Sequence, residues 1–223
     1  MPAKGVGVKA IVVAGGDAAT DDAAQLAGAD LVIAADSGTT WLAARGIRPD
    51  LVVGDMDSVD PALLERLAGD GVTFERHPPD KDASDAELAV DRAVDAGADE
   101  VVIVGALAGG RLDHELANLL LLADPAWRGK SLRIVRGGTV ARVLHGGEGL
   151  SLGAGEGDLV TLLPIAGDAI GVRSQGLEYP LDGETLRMGR SRGLSNRVRR
   201  EPASISLEGG TLLVIETKKE TAK

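Results

Sequence analysis

Asp55 and Asp57 stand one residue apart, directly after the apolar run Leu51-Val52-Val53 and its stop at Gly54. On an extended backbone two side chains at this spacing point to the same side. They would then offer two hard oxygen ligands at the C-terminal end of a buried strand, where open α/β sheets bind their ligands. Mg²⁺ on a nucleotide polyphosphate matches that donor set. Asp also serves turns after strands for backbone reasons alone. Here, however, the next helix has its own start signal, Asp60 as N-cap before Pro61, which leaves Asp55 and Asp57 without a capping duty.

Three further acidic motifs accompany the pair. Asp36-Ser37-Gly38 closes a second apolar run, Leu31 to Ala35, and reads equally as a ligand or as a turn residue. In Asp80-Lys81-Asp82-Ala83-Ser84-Asp85, Ser84 and Glu87 form a capping box for a helix running to about Ala96. Asp85 then sits at the first helical position, where a carboxylate also complements the helix dipole. The glycine-rich stretch Gly105 to Gly110 leads into Arg111-Leu112-Asp113-His114 and an apolar helix, Glu115 to Leu122. Arg111 beside such a loop and a helix N-terminus suits phosphate. Asp113 reads as an N-cap or as a site residue, and His114 as a base or as a structural histidine.

These motifs need a scaffold. The 223 residues are 44% hydrophobic but only 2% aromatic, so the core is expected to be built from Val, Leu, Ile and Ala. The formal charge of -10 argues against a nucleic-acid-binding domain and leaves metal-screened nucleotide phosphates open. Zero cysteine excludes disulfides, thiolate metal sites and cysteine nucleophiles, and is compatible with a cytoplasmic location. No apolar stretch reaches membrane-spanning length. Up to about residue 125 apolar runs at 9–14, 31–35, 51–53, 72–76 and 101–104 alternate with helical segments near 20–27, 41–45, 61–68 and 84–96. Residues 132–135 read as a last strand of this first sheet. From Val140 short β-like runs follow at close spacing, at 140–144, 149–152, 158–163, 170–174, 177–181, 184–187, 203–207 and 211–216, the pattern of a sandwich or barrel. The segment 187–200 carries six arginines, Arg187, Arg190, Arg192, Arg197, Arg199 and Arg200. It reads as a solvated loop, a polyanion contact or a subunit interface.

Taken in order, Gly54-Asp55-Met56-Asp57-Ser58, Lys81-Asp82-Ala83-Ser84-Asp85, Gly109-Gly110-Arg111-Leu112-Asp113-His114 and Leu194-Ser195-Asn196 resemble the motifs of the thiamine pyrophosphokinase family. Ala35-Asp36-Ser37-Gly38, Pro49-Asp50 and Gly176-Leu177-Glu178-Tyr179-Pro180-Leu181 strengthen the resemblance, which covers residues 10–200. The resemblance implies transfer of the terminal pyrophosphate of ATP to the hydroxyl of thiamine, giving thiamine diphosphate and AMP. It implies an α/β N-terminal domain, Rossmann-like with a mostly parallel sheet, and an all-β sandwich C-terminal domain, placed here at 1–130 and 131–223. It implies a homodimer with active sites at the subunit interface, and Mg²⁺ as cofactor on Asp55, Asp57 and Asp85. Lys81 and Arg111 would neutralise phosphate charge. Asp36, Asp82 and Asp113 would orient water, nucleophile or basic groups, with Ser84 in the same phosphate-side motif. Ser195 and Asn196 would bind thiamine.

The sequence departs from the family after Ser195-Asn196, where Arg197-Val198-Arg199-Arg200 follows and no aromatic stands nearby to stack on thiamine. The chain's large aromatics are Trp41, Phe74, Trp127 and Tyr179. Rival readings are a pyrophosphokinase of the same fold for another alcohol such as a pterin, a metal-dependent glycosyl- or nucleotidyltransferase, and a non-catalytic nucleotide-binding protein. No P-loop motif is present.

Overall fold

The computed structural model describes residues 7–219. The chain divides into two compact units at Gly137/Gly138. This is later than the 130/131 boundary expected from the sequence. The reason is the strand Ser131–Arg136, which pairs in parallel with the strand Ala98–Val104 of the first unit.

Among the described residues the first unit carries six strands and four α-helices: β1 (Val8–Val13), β2 (Leu31–Ala35), α1 (Gly38–Ala43), β3 (Leu51–Gly54), α2 (Pro61–Gly69), β4 (Thr73–Arg76), α3 (Asp85–Asp95), β5 (Ala98–Val104), α4 (Leu112–Leu121) and β6 (Ser131–Arg136). The strands lie in the order β6-β5-β1-β2-β3-β4, and every neighbouring pair is parallel. Their apolar runs explain this. Ala10 to Val13 of β1 and Val101 to Val104 of β5 are fully or almost fully buried, as expected of strands covered on both faces. α3 buries Ala86, Ala89, Val90 and Ala93, an i, i+3, i+4, i+7 stripe. Its small side chains let the helix approach β1, β2 and β5 closely.

The expected helix near 20–27 is instead a 3-10 segment, Thr20–Leu26. The buried Asp22 accounts for the difference. Its carboxylate accepts the N–H groups of Ala19 (2.7 Å) and Gly137 (2.7 Å), tying this segment to the end of the unit.

The second unit is β-rich: β7 (Thr139–His145), β8 (Gly149–Ser151), β9 (Leu159–Pro164), β10 (Ala169–Gln175), β11 (Asp182–Leu186), β12 (Asn196–Arg197), β13 (Ser204–Ser206) and β14 (Thr211–Thr217). These form two four-stranded layers, β12-β9-β14-β7 and β11-β10-β13-β8, with antiparallel pairing throughout. One core joins the layers, with Val160, Leu162, Leu212 and Val214 from the first and Val172, Leu186 and Ile205 from the second. The expected strand at 177–181 does not form. Leu177 makes only an isolated bridge with Val198, and the backbone after it is held by a side chain described below.

Candidate active site

The loops at the C-terminal ends of β1, β2, β3 and β5 surround a cleft of about 410 Å³, lined by Gly15, Gly16, Asp36, Asp55, Lys81, Asp85, Gly105, Arg111 and His114 among others. The strand order reverses between β1 and β5, and at such a point loops diverge and leave a crevice.

Asp55 and Asp57 do come together, but not on an extended backbone. β3 ends at Gly54. Met56 then takes a left-handed φ of 64°, and Asp55 Oδ1 accepts the N–H of Asp57 at 3.0 Å. A tight turn, not strand alternation, sets both carboxylates on one side. Asp36 joins them. Its N–H donates to Val53 O at 3.0 Å, next to the β2–β3 register pair Ala35 and Val53, so sheet pairing carries it to the same spot. One carboxylate oxygen each from Asp36, Asp55 and Asp57 lies within 4.8 Å of the others. Ser58 Oγ donates to Asp36 Oδ2 at 2.7 Å, while Asp36 Oδ1 is buried with no hydrogen-bond partner.

The like charges raise the pKa of Asp57. The main cause is the charge of Asp55, followed by its hydrogen bond to Asp55, some burial, and the charges of Asp36 and Asp85. A divalent cation held here would relieve this repulsion, with the unpaired Asp36 oxygen available to it. Mg²⁺ prefers hard oxygen ligands of this kind. The donor set therefore fits the ion.

Asp85 sits at the same wall. A Cβ placed on Gly54 would lie 2.9 Å from Asp85 Oδ1 and 3.4 Å from Asp36 Cβ, so glycine at position 54 is what lets the carboxylates crowd together. Gly54 also has φ of 140°, a value that L side chains rarely adopt. Asp85 Oδ1 lies 3.1 Å from Lys81 Nζ, in ion contact without the alignment of a hydrogen bond. Lys81 is mostly covered, with a side chain 13% exposed. Ser84 is the N-cap of α3, accepting the Glu87 N–H at 3.2 Å. Asp82 is exposed.

Asp113 is not the N-cap of α4. The helix begins at Leu112 after Arg111, and Asp113 instead grips the Arg111 guanidinium at both ends, Nε–Oδ1 at 3.0 Å and Nη2–Oδ2 at 2.7 Å. That pairing holds the Asp113 carboxyl well below the usual carboxylate range and raises Arg111. Both side chains are about two-thirds exposed, so the pair is free to exchange partners. His114 and Glu115 also line the cleft, and Asn118 fixes its floor by donating to Ala106 O at 2.8 Å.

In the second unit Ser195 is exposed and left-handed, with φ of 56°. Asn196 is buried. Its Oδ1 accepts the N–H groups of Tyr179 (3.0 Å) and Arg197 (2.8 Å), and its Nδ2 donates to Tyr179 O (2.7 Å). The four described non-glycine residues with positive φ are Asp36, Met56, Ala108 and Ser195. Each lies in or beside one of the motifs singled out above, and strain of this kind gathers at functional sites. Sequence patterns carry no direct sign of it.

Residues 23–135 match the family model described as thiamin pyrophosphokinase, catalytic domain, and residues 150–212 match thiamin pyrophosphokinase, vitamin B1 binding domain. The chain is similar to the thiamine pyrophosphokinase of Bacillus subtilis, 27% identical over 188 residues that make up 84% of this chain and 87% of the relative. In fold it is similar to the crystal structure of thiamine pyrophosphokinase from Bacillus subtilis, with a TM-score of 0.84 at 24% identity, covering 95% of this chain and 99% of that one. It is also similar to thiamin pyrophosphokinase from Geobacillus thermodenitrificans, with a TM-score of 0.81 at 25% identity, covering 97% and 100%. With more than half of its length matched by the first model alone and the second matching beyond it, the chain belongs to the thiamin pyrophosphokinase family.

Proposed function

We propose that the protein transfers the pyrophosphoryl group of ATP to the hydroxyl of thiamine, giving thiamine diphosphate and AMP. The observation that carries this reading is the meeting of Asp36, Asp55 and Asp57 oxygens within 4.8 Å at a cleft whose walls include Lys81 and Arg111. Family membership names the acceptor. A parallel sheet whose strand order reverses between β1 and β5 is an arrangement that binds ligands outside its strand ends.

In this reaction the hydroxyl oxygen of thiamine forms a bond to the β-phosphorus. The bond from that phosphorus to the α–β bridging oxygen breaks, AMP leaves, and the hydroxyl proton is lost. Asp36, Asp55 and Asp57, with Asp85 beside them, are the proposed holders of Mg²⁺. The ion would neutralise polyphosphate charge and fix its oxygens. Lys81, held against Asp85, places a fixed positive charge on the cleft wall. Arg111 is restrained by Asp113 yet exposed, so its guanidinium can turn from carboxylate to phosphate with Asp113 orienting it. Catalysis of this type rests on positioning and charge stabilisation.

The proposed working form is a homodimer. Two features support it. Leu112, Leu116 and Leu120 form an i, i+4, i+8 stripe on α4 and are 70%, 52% and 54% exposed, an apolar face that a partner would cover. The charge is also divided unevenly. Residues 1–137 hold 13 Lys and Arg against 23 Asp and Glu, a net of -10, and residues 138–223 hold 11 of each. Six of those 11 cations fall in 187–200, which has no acid. The acidic unit of one copy is thus complementary to the arginine segment of another. No described helix is long and apolar enough to cross a membrane, and with ATP and thiamine as substrates the cytoplasm is the proposed setting.

The test is one incubation with ATP, Mg²⁺ and thiamine, with both product pools separated. Thiamine diphosphate and AMP in equal amounts are expected. Formation of ADP, or a pterin accepted in place of thiamine, would overturn the assignment.

A further inference from the structure

Lys81 reaches the cleft from a segment with little structure of its own. Among the described residues, the one backbone hydrogen bond made by Pro78 to Ala83 runs from the Lys81 N–H to Pro79 O at 3.1 Å. Yet the Lys81 side chain is mostly covered and lies against Asp85, and Pro79, Lys81 and Ala83 all line the cleft. A lysine side chain is a flexible four-carbon stem. Its placement therefore has to come from what holds the segment.

The hold starts at His77. Its N–H donates to Gly54 O at 3.0 Å, which carries the β3–β4 pairing one residue past the register pair Gly54 and Arg76. Its ring is held as well, with Nε2–H donating to Glu75 Oε1 at 2.7 Å. Glu75 is itself fixed. The Arg92 guanidinium donates to both of its oxygens, Nε to Oε2 at 2.6 Å and Nη2 to Oε1 at 2.8 Å. Arg92 Nη1 donates in turn to Asp95 Oδ2 at 2.9 Å. Arg92 and Asp95 lie on α3, the helix that Asp85 opens. A two-pronged arginine–carboxylate contact fixes direction as well as distance. β4, α3 and the His77 ring thus form one frame.

From this frame to Lys81 the chain is stiff. Ring closure fixes φ at Pro78 and Pro79, and a residue before proline is confined to extended backbone, which applies to His77 and Pro78. Lys81 then folds back on the two prolines, its N–H on Pro79 O and its Nζ 3.4 Å from Pro78 O. A shift at His77 is passed on to Lys81 and not absorbed between them.

We propose that His77 is a positioning residue for the reaction, acting from the Glu75–Arg92 frame through Pro78 and Pro79 to hold Lys81 on the cleft wall that faces the polyphosphate. The proposal rests on the cleft being the ATP site.

Steady-state kinetics of His77→Ala, His77→Gln, Arg92→Lys, Lys81→Ala and the His77→Ala/Lys81→Ala double variant tests it, with Tm measured for each. His77→Ala lowers kcat/KM for ATP roughly 10- to 100-fold, the scale of a displacement of up to about 1 Å, and leaves KM for thiamine unchanged. His77→Gln, whose amide nitrogen can donate where Nε2–H did, restores kcat/KM for ATP to near wild type. Arg92→Lys keeps the charge but loses the fork, and lowers kcat/KM for ATP from the other side of Glu75. In the double variant His77→Ala adds no loss to that of Lys81→Ala. Wild-type kcat/KM for ATP in His77→Ala, whatever its Tm, overturns the proposal, because the ring then serves the fold alone. Should His77→Ala not fold, wild-type kcat/KM for ATP in Arg92→Lys overturns it equally. Losses that multiply in the double variant also overturn it, since His77 then acts by a route other than Lys81. Absence of AMP formation from ATP and thiamine by the wild type would instead remove the reaction itself, a failure seen before any variant is made.

Discussion

Gly54→Ala probes the carboxylate cluster without removing any carboxylate. The added Cβ would stand 2.9 Å from Asp85 Oδ1 and 3.2 Å from its Cγ, with Asp36 Cβ at 3.4 Å. The position also has φ of 140°, and holding an L residue in such a region costs about 1–3 kcal/mol. Overpacking against Asp85 adds about 1 kcal/mol. Asp85 cannot simply step aside, because it opens α3 and contacts Lys81 at 3.1 Å. A total of about 2–4 kcal/mol corresponds to roughly 2–4 °C of Tm per kcal/mol in a chain of this size. Displacing the acid cluster by a fraction of an ångström to 1 Å should reduce kcat about 100-fold. The assay pairs denaturant unfolding with product formation. Gly69→Ala serves as control: a Cβ there meets nothing within 4 Å, and the change should be neutral or stabilising by up to about 1 kcal/mol. A Gly54→Ala protein with wild-type stability and kcat would refute the reasoning that this glycine shapes the site.

Three other outcomes are expected. Asp57→Asn should abolish turnover while circular dichroism and Tm stay near wild type, since the side chain is exposed and removing its charge relieves repulsion. Retained activity would exclude it from the cluster's function. Glu75 is held below its ordinary pKa of 4.5, first by hydrogen bonds from Arg92, which outweigh an opposing burial penalty, and further by its hydrogen bond to His77. Its lowered folded-state pKa means that this stability is present above the unfolded value and is lost as pH falls through the folded one. Glu75→Gln should therefore cost about 1 kcal/mol at neutral pH, discounted for its partial exposure. The gap to wild type should close below pH 4.5, and a gap persisting into strong acid would contradict the assignment. Leu116→Lys on α4 should weaken self-association at least about tenfold by sedimentation. A dimer unaffected by it would place the interface elsewhere.

Much of the scaffold was legible in the sequence because buried parallel strands are written as uninterrupted apolar runs, as in Ile11 to Val13 and Val101 to Val104. Asp60 and Ser84 were legible as caps because capping is local, and both accept the expected backbone N–H groups. What escaped depended on torsion or on distant pairing. The turn at Met56 replaces an extended Asp55–Asp57, and nothing in a methionine announces φ of 64°. Asp36 joins Asp55 and Asp57 because β2 pairs with β3, Ala35 opposite Val53, a relation between segments apart in sequence. The apolar pattern at 177–181 looked like a strand, yet its polar backbone is satisfied by the amide of Asn196.

The central claim is that the carboxylate cleft passes two phosphates together to an alcohol. ATP labelled at the β-phosphorus, supplied with Mg²⁺ and thiamine, tests it most directly. The account predicts that all transferred label appears in thiamine diphosphate and that the AMP formed is unlabelled. Label retained in ADP, or released as free phosphate or pyrophosphate while thiamine stays unmodified, would contradict it.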